Sequence, residues 1–461
     1  MPSELETKPI APVINELRAG RTINVAPKGA TVGNGKGDCS MHSATMCPAF
    51  GSLRVTMRIE GMVPVLVGAV GCLYGLDFVS HFYGSSKPIV SPSLTARELV
   101  QSDLTDKVMD IIKDVVTHED PQMIAVMSLC TPETSGLHLE LLPKKIGRTD
   151  IIPMRVPAYG VPTHPEAKDV AISQIIKRLG ENIKEAGQPF EREGLCAIGE
   201  VFPTDPITLG MAVSRLGINL RAALPHKEIS AFYQAPHAKV AAMIHPFYDR
   251  TVKEMKNLGV QPLYSAPVGA EGTYSWFKNL GTLMGLPPSE VEDVAQDEAN
   301  LVADELDKHR LDGVRMMIAG YEGSELLFAR LMVEAGAKVG YVSTSVKGSA
   351  GTKDDVAWLE DKGIKVLFRK RHEDDLAALA EQPYDLVIGS SNLEAVAKKM
   401  GVPSVYYTNI VSSRPILLAG GVRPLVDQMK LLLSQTQTYR TMRDFFADVD
   451  TLHREAVQVG V

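Results

Sequence analysis

Three cysteines, Cys47, Cys72 and Cys130, stand where a strand-like or loop segment gives way to a helix-like one, and each has glycine or proline close by. The segments are Met46-Cys47-Pro48-Ala49-Phe50-Gly51, Val70-Gly71-Cys72-Leu73-Tyr74-Gly75 and Ser128-Leu129-Cys130-Thr131-Pro132-Glu133. A thiol at a helix N-terminus ionises more easily, and the thiolate is the form a metal needs. Cubane iron–sulfur clusters take four thiolates as a rule and accept them from separate loops, because the fold and not local spacing brings the sulfurs together. Three thiols are one short of that set. Their separations of 25 and 58 residues match no local metal motif, so the residues alone leave a second reading open, in which each thiol is a small buried hydrophobe.

Other reactive side chains are weaker candidates. Cys39 has His42 three residues on, a zinc-like spacing with no further ligands near it. Cys196 lies inside the apolar run Leu195-Cys196-Ala197-Ile198 and reads as core. His81-Phe82-Tyr83-Gly84 and His245-Pro246-Phe247-Tyr248 set an imidazole beside aromatic rings. Such groups line an aromatic pocket, supply a proton, or serve as hydrogen-bonded histidines at the edge of a core. Trp276 and Phe277 read as helix packing, and the acidic run Glu290 to Asp297 as a solvated helix face. Gly320-Tyr321-Glu322-Gly323-Ser324 occupies a strand-to-helix turn where a phosphate could meet helix N–H groups. It is neither GxGxxG nor GxxxxGK[ST], and Gly68-Ala69-Val70-Gly71-Cys72 has the wrong glycine spacing for a dinucleotide fingerprint, so no nucleotide is expected on this chain.

These residues need a scaffold large enough to bring distant loops together. The chain has 461 residues, which the usual length prior divides into about three domains. Hydrophobic residues make up 45% and charged residues 22%, an ordinary globular composition. A net charge of −7, from 48 basic and 55 acidic side chains, argues against a general nucleic-acid surface. Five cysteines, an odd number with no signal-like N-terminus, read as reduced thiols or metal ligands in the cytoplasm. No apolar run reaches the roughly 18 residues of a transmembrane helix.

The first 35 residues are polar and punctuated by glycine and proline, and read as an arm. Beyond it, short apolar runs bounded by turns alternate with amphipathic helical patterns, the grammar of parallel sheets buried on both faces. The runs are Val63 to Val70 and Met123 to Met127; then Leu195 to Val201, Lys239 to Ile244 and Leu263 to Val268; then Val314 to Ala319, Ala337 to Ser343, Lys365 to Phe368, Asp385 to Ile388 and Pro403 to Tyr407. Gly336 and Gly401 are placed as helix stops. The expected fold class is α/β, with three Rossmann-like parallel-sheet domains. After the arm at 1–35, their expected spans are 36–190, carrying the cysteines, 191–310, and 311–461 with C-terminal helices.

With these segments in view, the chain resembles the nitrogenase-like oxidoreductases, and among them the Y-type subunits of chlorophyllide a reductases. The match rests on Met46 to Arg54, on Gly71-Cys72-Leu73-Tyr74-Gly75 with Ser80-His81-Phe82-Tyr83-Gly84, and on Gly199 to Pro206. It continues through Ile244-His245-Pro246-Phe247-Tyr248, Ser265-Ala266-Pro267-Val268-Gly269 and Tyr407 to Pro415. The resemblance implies a nitrogenase component 1-like fold and an α2β2 assembly with a homologous Z subunit. It implies a [4Fe-4S] cluster at the interface, held by three cysteines of this chain and one of Z; the matching positions are Cys47, Cys72 and Cys130. It further implies a transient partner, the ATP-hydrolysing iron–sulfur subunit X, in a ferredoxin- and ATP-dependent reduction of the C7=C8 bond of chlorophyllide a in bacteriochlorophyll biosynthesis. His81, Tyr83 and His245 are candidate proton donors, beside the substrate's own propionate or a group on Z. The alternatives are another nitrogenase-like reductase subunit, such as the dark-operative protochlorophyllide reductase N subunit, and a non-catalytic Rossmann-like binding or scaffold protein.

Overall fold

The structure, a computed structural model, describes residues 47–82, 89–92, 94, 95, 97, 98, 104–200, 206–368, 371–411, 414 and 416–459. The arm at 1–35, Cys39, His42 and Tyr83 lie outside the described residues.

Thirteen strands among the described residues form three sheets. In the first, β1 (Met62–Val67), β2 (Met123–Ser128) and β4 (Thr149–Arg155) are parallel, and β3 (Lys145–Ile146) closes one edge as an antiparallel hairpin with β4. A lone parallel bridge from Val90 to Val65 marks the far side of β1. The second sheet is parallel throughout, in the order β6 (Leu220–Leu224), β5 (Leu195–Ile198), β7 (Val240–Met243), β8 (Gln261–Leu263). The third runs β11 (Val366–Phe368), β10 (Lys338–Thr344), β9 (Arg315–Ala319), β12 (Leu386–Gly389), β13 (Ser404–Tyr406), also all parallel. The chain is therefore α/β with several doubly wound sheets, each placing its carboxyl ends where ligands of such sheets bind.

Side-chain alternation makes the middle sheet a partition. Leu195 and Ala197 of β5 and Val240 and Ala242 of β7 face the core shared with the third sheet. Their neighbours Cys196, Ile198, Ala241 and Met243 face the core shared with the first. A period of two along each strand sends successive residues to opposite faces, so both faces are apolar and neither is solvated. The three sheets thus share interiors instead of folding as beads on a string.

Most apolar runs form strands close to their expected places, and helices follow them: Glu325–Glu334, Ser391–Lys399 and Pro288–Lys308 fill the intervals read as helical. Gly336 and Gly401 end their helices at φ +96° and +76°, a left-handed geometry that a Cβ disfavours. Two runs differ. Val63 to Val70 stops as a strand at Val67, and Val70 opens a helix with its side chain in solvent. Leu263 to Val268 is strand only at its first residue, because beyond it the backbone bonds elsewhere: the Pro267 carbonyl accepts the Leu418 N–H at 2.8 Å.

Candidate metal centre

Cys72 and Cys130 follow two neighbouring parallel strands. Val67, the last residue of β1, is in register with Ser128, the last of β2, and the Leu129 N–H donates to the Val67 carbonyl at 3.0 Å. Beyond Val67 the chain enters the helix Val70–Phe82, which carries Cys72 in its first turn; beyond Ser128 it enters the short helix that Cys130 opens. The chain leaves β1 for the Val90 side of the sheet and returns on the opposite side as β2, so the two thiols flank a topological switch point. Arg155, the last residue of β4, pins the Cys130 helix by donating to Glu133 and to Glu140, each at 2.6 Å.

Cys47 arrives by another route. It precedes the helix Ala49–Thr56, accepts the Phe50 N–H on its carbonyl at 3.0 Å, and is followed directly by no strand. That helix lies on the long helix His164–Glu185: the Phe50 ring stacks on His164 at 5.5 Å, and the Ser52 hydroxyl donates to the Ala167 carbonyl at 2.5 Å. Gly51 allows the approach, because a Cβ there would collide with the His164 carbonyl.

Cys47 and Cys72 both feel the thiols near them. Surrounding protein atoms raise the Cys47 pKa, the N–H groups of Ala49 and Phe50 oppose the rise, and the charges of Cys130 and Cys72 add to it. Cys72 is raised by burial and then by the charge of Cys130. The Ala158 N–H donates to the Cys130 sulfur at 3.2 Å. Among the described residues no group of three or more His, Cys, Asp or Glu side chains is arranged to hold a single metal ion. A cubane is a wider object, whose thiolates are kept apart by irons and sulfides, and three neighbouring thiols with amide N–H donors on two of them fit such a group better than one ion. Cys47 and Cys72 remain exposed and Cys130 half-buried, which leaves room for a ligand from outside the chain. Cys196 belongs to none of this: it is fully buried in β5, and burial pushes its thiol up.

The helix that carries Cys72 also bears an apolar stripe, on the face turned away from that thiol. Val70, Tyr74 and Phe78, spaced one helical turn apart, are 67%, 75% and 63% exposed, and Gly71 and Gly75 between them have open space where a Cβ would be. A stripe of this kind marks a contact surface. His81 closes the same helix, exposed, with its Nδ1 3.0 Å from the Asp77 carbonyl. His245 is elsewhere, buried, and accepts the Glu200 N–H on Nδ1 at 2.8 Å; burial pushes its pKa down to about 4 against the pull of the Glu200 charge, so it is neutral at pH 7. Trp276 and Phe277 are core residues in edge-to-face contact.

The turn Gly320 to Ser324 is closed by the chain's own carboxylate. The N–H groups of Glu322 and Gly323 donate to Glu325 at 2.5 and 3.0 Å, and the Thr344 hydroxyl donates to it at 2.7 Å. The Glu325 carboxyl group already occupies the amides that a phosphate would use. Sequence reasoning missed a buried ionic knot near this turn, where Lys168 pairs with Glu200 and lies 3.6 Å from Glu322. A lysine in an amphipathic helix reads as solvated, and only the i, i+4 spacing of His164 and Lys168 hinted at a common face.

The chain belongs to the nitrogenase component 1 type oxidoreductases, whose family model matches residues 47–433 and so includes all three thiols. It is 34% identical over 411 residues to the chlorophyllide reductase 52.5 kDa chain of Rhodobacter capsulatus, covering 88% of this chain and 82% of that one. It is 35% identical over 412 residues to the chain of the same name from Cereibacter sphaeroides, with the same coverage. The fold is also that of a solved nitrogenase Cp1 chain, with a TM-score of 0.66 over 90% of this chain and 97% of that one at 17% identity. The chain is thus an oxidoreductase subunit of nitrogenase-like type, and among its described residues no helix is long and apolar enough to cross a membrane.

Proposed function

We propose that the chain is the Y-type subunit of a cytoplasmic chlorophyllide a reductase. With a homologous Z subunit it forms an α2β2 assembly, in which Cys47, Cys72 and Cys130 and one cysteine of Z hold a [4Fe-4S] cluster. The subunit X, an ATP-hydrolysing iron–sulfur protein, docks transiently and supplies electrons, and the C7=C8 bond of chlorophyllide a is reduced. The observation that carries the reading is the gathering of three neighbouring, solvent-reachable thiols at the ends of β1 and β2 and beside the helix Ala49–Thr56. The similarity to two chlorophyllide reductase chains over most of the sequence supports the substrate.

When bound, the cluster would supply one-electron transfer; this chain's residues supply its surroundings. The three thiolates would hold the cluster; the Ala158 N–H donates to the Cys130 sulfur, and the Ala49 and Phe50 amides lower the Cys47 pKa, which favours the charged thiolate. The stripe of Val70, Tyr74 and Phe78 would be the part of this helix that Z covers. Converting one C=C bond to CH–CH takes two electrons and two protons. His81 lies toward the far end of the helix that carries Cys72 and half a turn round from that thiol, with its Nδ1 held by the Asp77 carbonyl, and neutral, buried His245 has its Nδ1 committed to the Glu200 backbone, so neither is assigned as the proton donor. The test is co-expression with Z, anaerobic purification and reaction with X, ATP and pigment. Loss of the C7=C8 bond of chlorophyllide a supports the reading, and reduction of protochlorophyllide in its place overturns it.

A further inference from the structure

Lys168 is 1% exposed, an unusual place for a lysine unless its charge is matched. Its partners come from two other sheets: Glu200 follows β5, and Glu322, 3.6 Å away, follows β9. His164, one turn earlier on the same helix, has its Nδ1 3.7 Å from Glu322, and the Thr408 hydroxyl just beyond β13 donates to Glu322 at 2.7 Å. Burial alone would raise both carboxyls, but the charges of Lys168 and Arg54 hold Glu200 down at about 2, and Lys168 with the nearby His164 keeps Glu322 well below the usual range. Arg54 belongs to the helix Ala49–Thr56, which begins two residues after Cys47.

We propose that this knot is a positioning device for Cys47, tying the helix that follows the thiol to the carboxyl ends of the second and third sheets; it rests on the reading of Cys47 as a cluster ligand. Cys72 and Cys130 are placed by strands that end two to five residues earlier, and among the described residues the element next to Cys47 is the helix that follows it. Its placement depends on the seat of the helix Ala49–Thr56, and that seat is built from Phe50 on His164 and Ser52 on the Ala167 carbonyl, with the Arg54 charge favouring both carboxylates. Buried ion pairs are poor sources of net stability, since apolar replacements often do as well. What they enforce is geometry, because their charges are matched only when all contributing elements are in place.

Hydrogen exchange on the full chain purified with its partner, with iron content measured on the same samples, tests the proposal on Glu322→Gln and His164→Phe. The second keeps the ring stack on Phe50 and removes only the link to Glu322, and it decides the matter where the first fails to fold. Amides of residues 49–56 should exchange about tenfold faster and Cys47 should alkylate faster, with the amides of β2 unchanged and iron lost from the variants. Unchanged exchange at 49–56, or an equal acceleration throughout the chain, overturns the positioning role. A wild-type complex without iron would overturn the cluster assignment separately, whatever the exchange pattern shows.

Discussion

The apolar stripe on the helix that carries Cys72 gives the sharpest prediction, because it separates association from folding. Tyr74 and Phe78 are 75% and 63% exposed. At roughly 200 Å² for a buried aromatic side chain, the two rings offer about 280 Å² to a partner. At about 25 cal/mol per Å² that is a ceiling of about 7 kcal/mol, which lost motion and side-chain ordering on docking reduce substantially. Truncating either ring to alanine should therefore cost about 2 kcal/mol of association, roughly a thirtyfold weaker Kd for the Z subunit. Both side chains stand in solvent in this chain, so the fold itself should change by no more than about 0.5 kcal/mol. Sedimentation of tagged pairs over a concentration series, with urea melts of each chain alone, measures the two effects independently. Tyr74→Ala and Phe78→Ala chains that bind Z as tightly as the parent would refute the assignment of this helix to the interface. Variants that unfold would refute the premise that the stripe is idle in the monomer.

Single replacement of Cys47, Cys72 or Cys130 by alanine should abolish iron binding in the complex, as read by metal analysis and visible absorbance. Cys196→Ala should leave the iron in place and cost about 1 kcal/mol of stability through the small cavity it opens. Glu325 offers a pH test. Burial raises its carboxyl to about 7 from 4.5, partly offset by the Thr344 hydroxyl and the turn amides. The protonated form is thus favoured in the folded chain, and stability present below pH 4.5 is lost as pH rises through 7, by about 3 kcal/mol for a shift of this size. Glu325→Gln should remove that component of the decline, seen as a flatter dependence of the urea midpoint on pH between 4.5 and 7.5.

The sheets were legible where both faces of a strand are buried, since a short run such as Met123 to Met127 can then be apolar at every position. Three strands escaped that logic, the two-residue β3 (Lys145–Ile146) at a sheet edge among them. β4 carries Pro153 in its middle, a residue that ordinarily argues against a paired strand, and β6 mixes Arg221 and alanines into Leu220–Leu224. The opposite error arose at Tyr264 to Val268, which is apolar because it is packed, while its backbone bonds to the start of the helix Leu418–Ser434. The ionic knot was invisible for another reason. Burial of Lys168 depends on carboxylates 32 and 154 positions away, and no local pattern encodes a pairing that only the meeting of three sheets creates.

The cysteines show what local reading can and cannot reach. Cys72 and Cys130 are adjacent because parallel pairing of β1 with β2 sets Val67 beside Ser128, so any two residues just beyond those strands become neighbours. Their convergence follows from strand order, and strand order was the part of the fold the sequence expressed least directly. Cys47 joins them through helix packing, at a seat that requires Gly51 to have no side chain and Phe50 to find His164. The residual exposure of Cys47 and Cys72 then has a physical use. On the proposed reading, a site that takes its last thiolate from a partner must keep an open side until that partner arrives, whereas a site completed inside one chain can be closed by that chain.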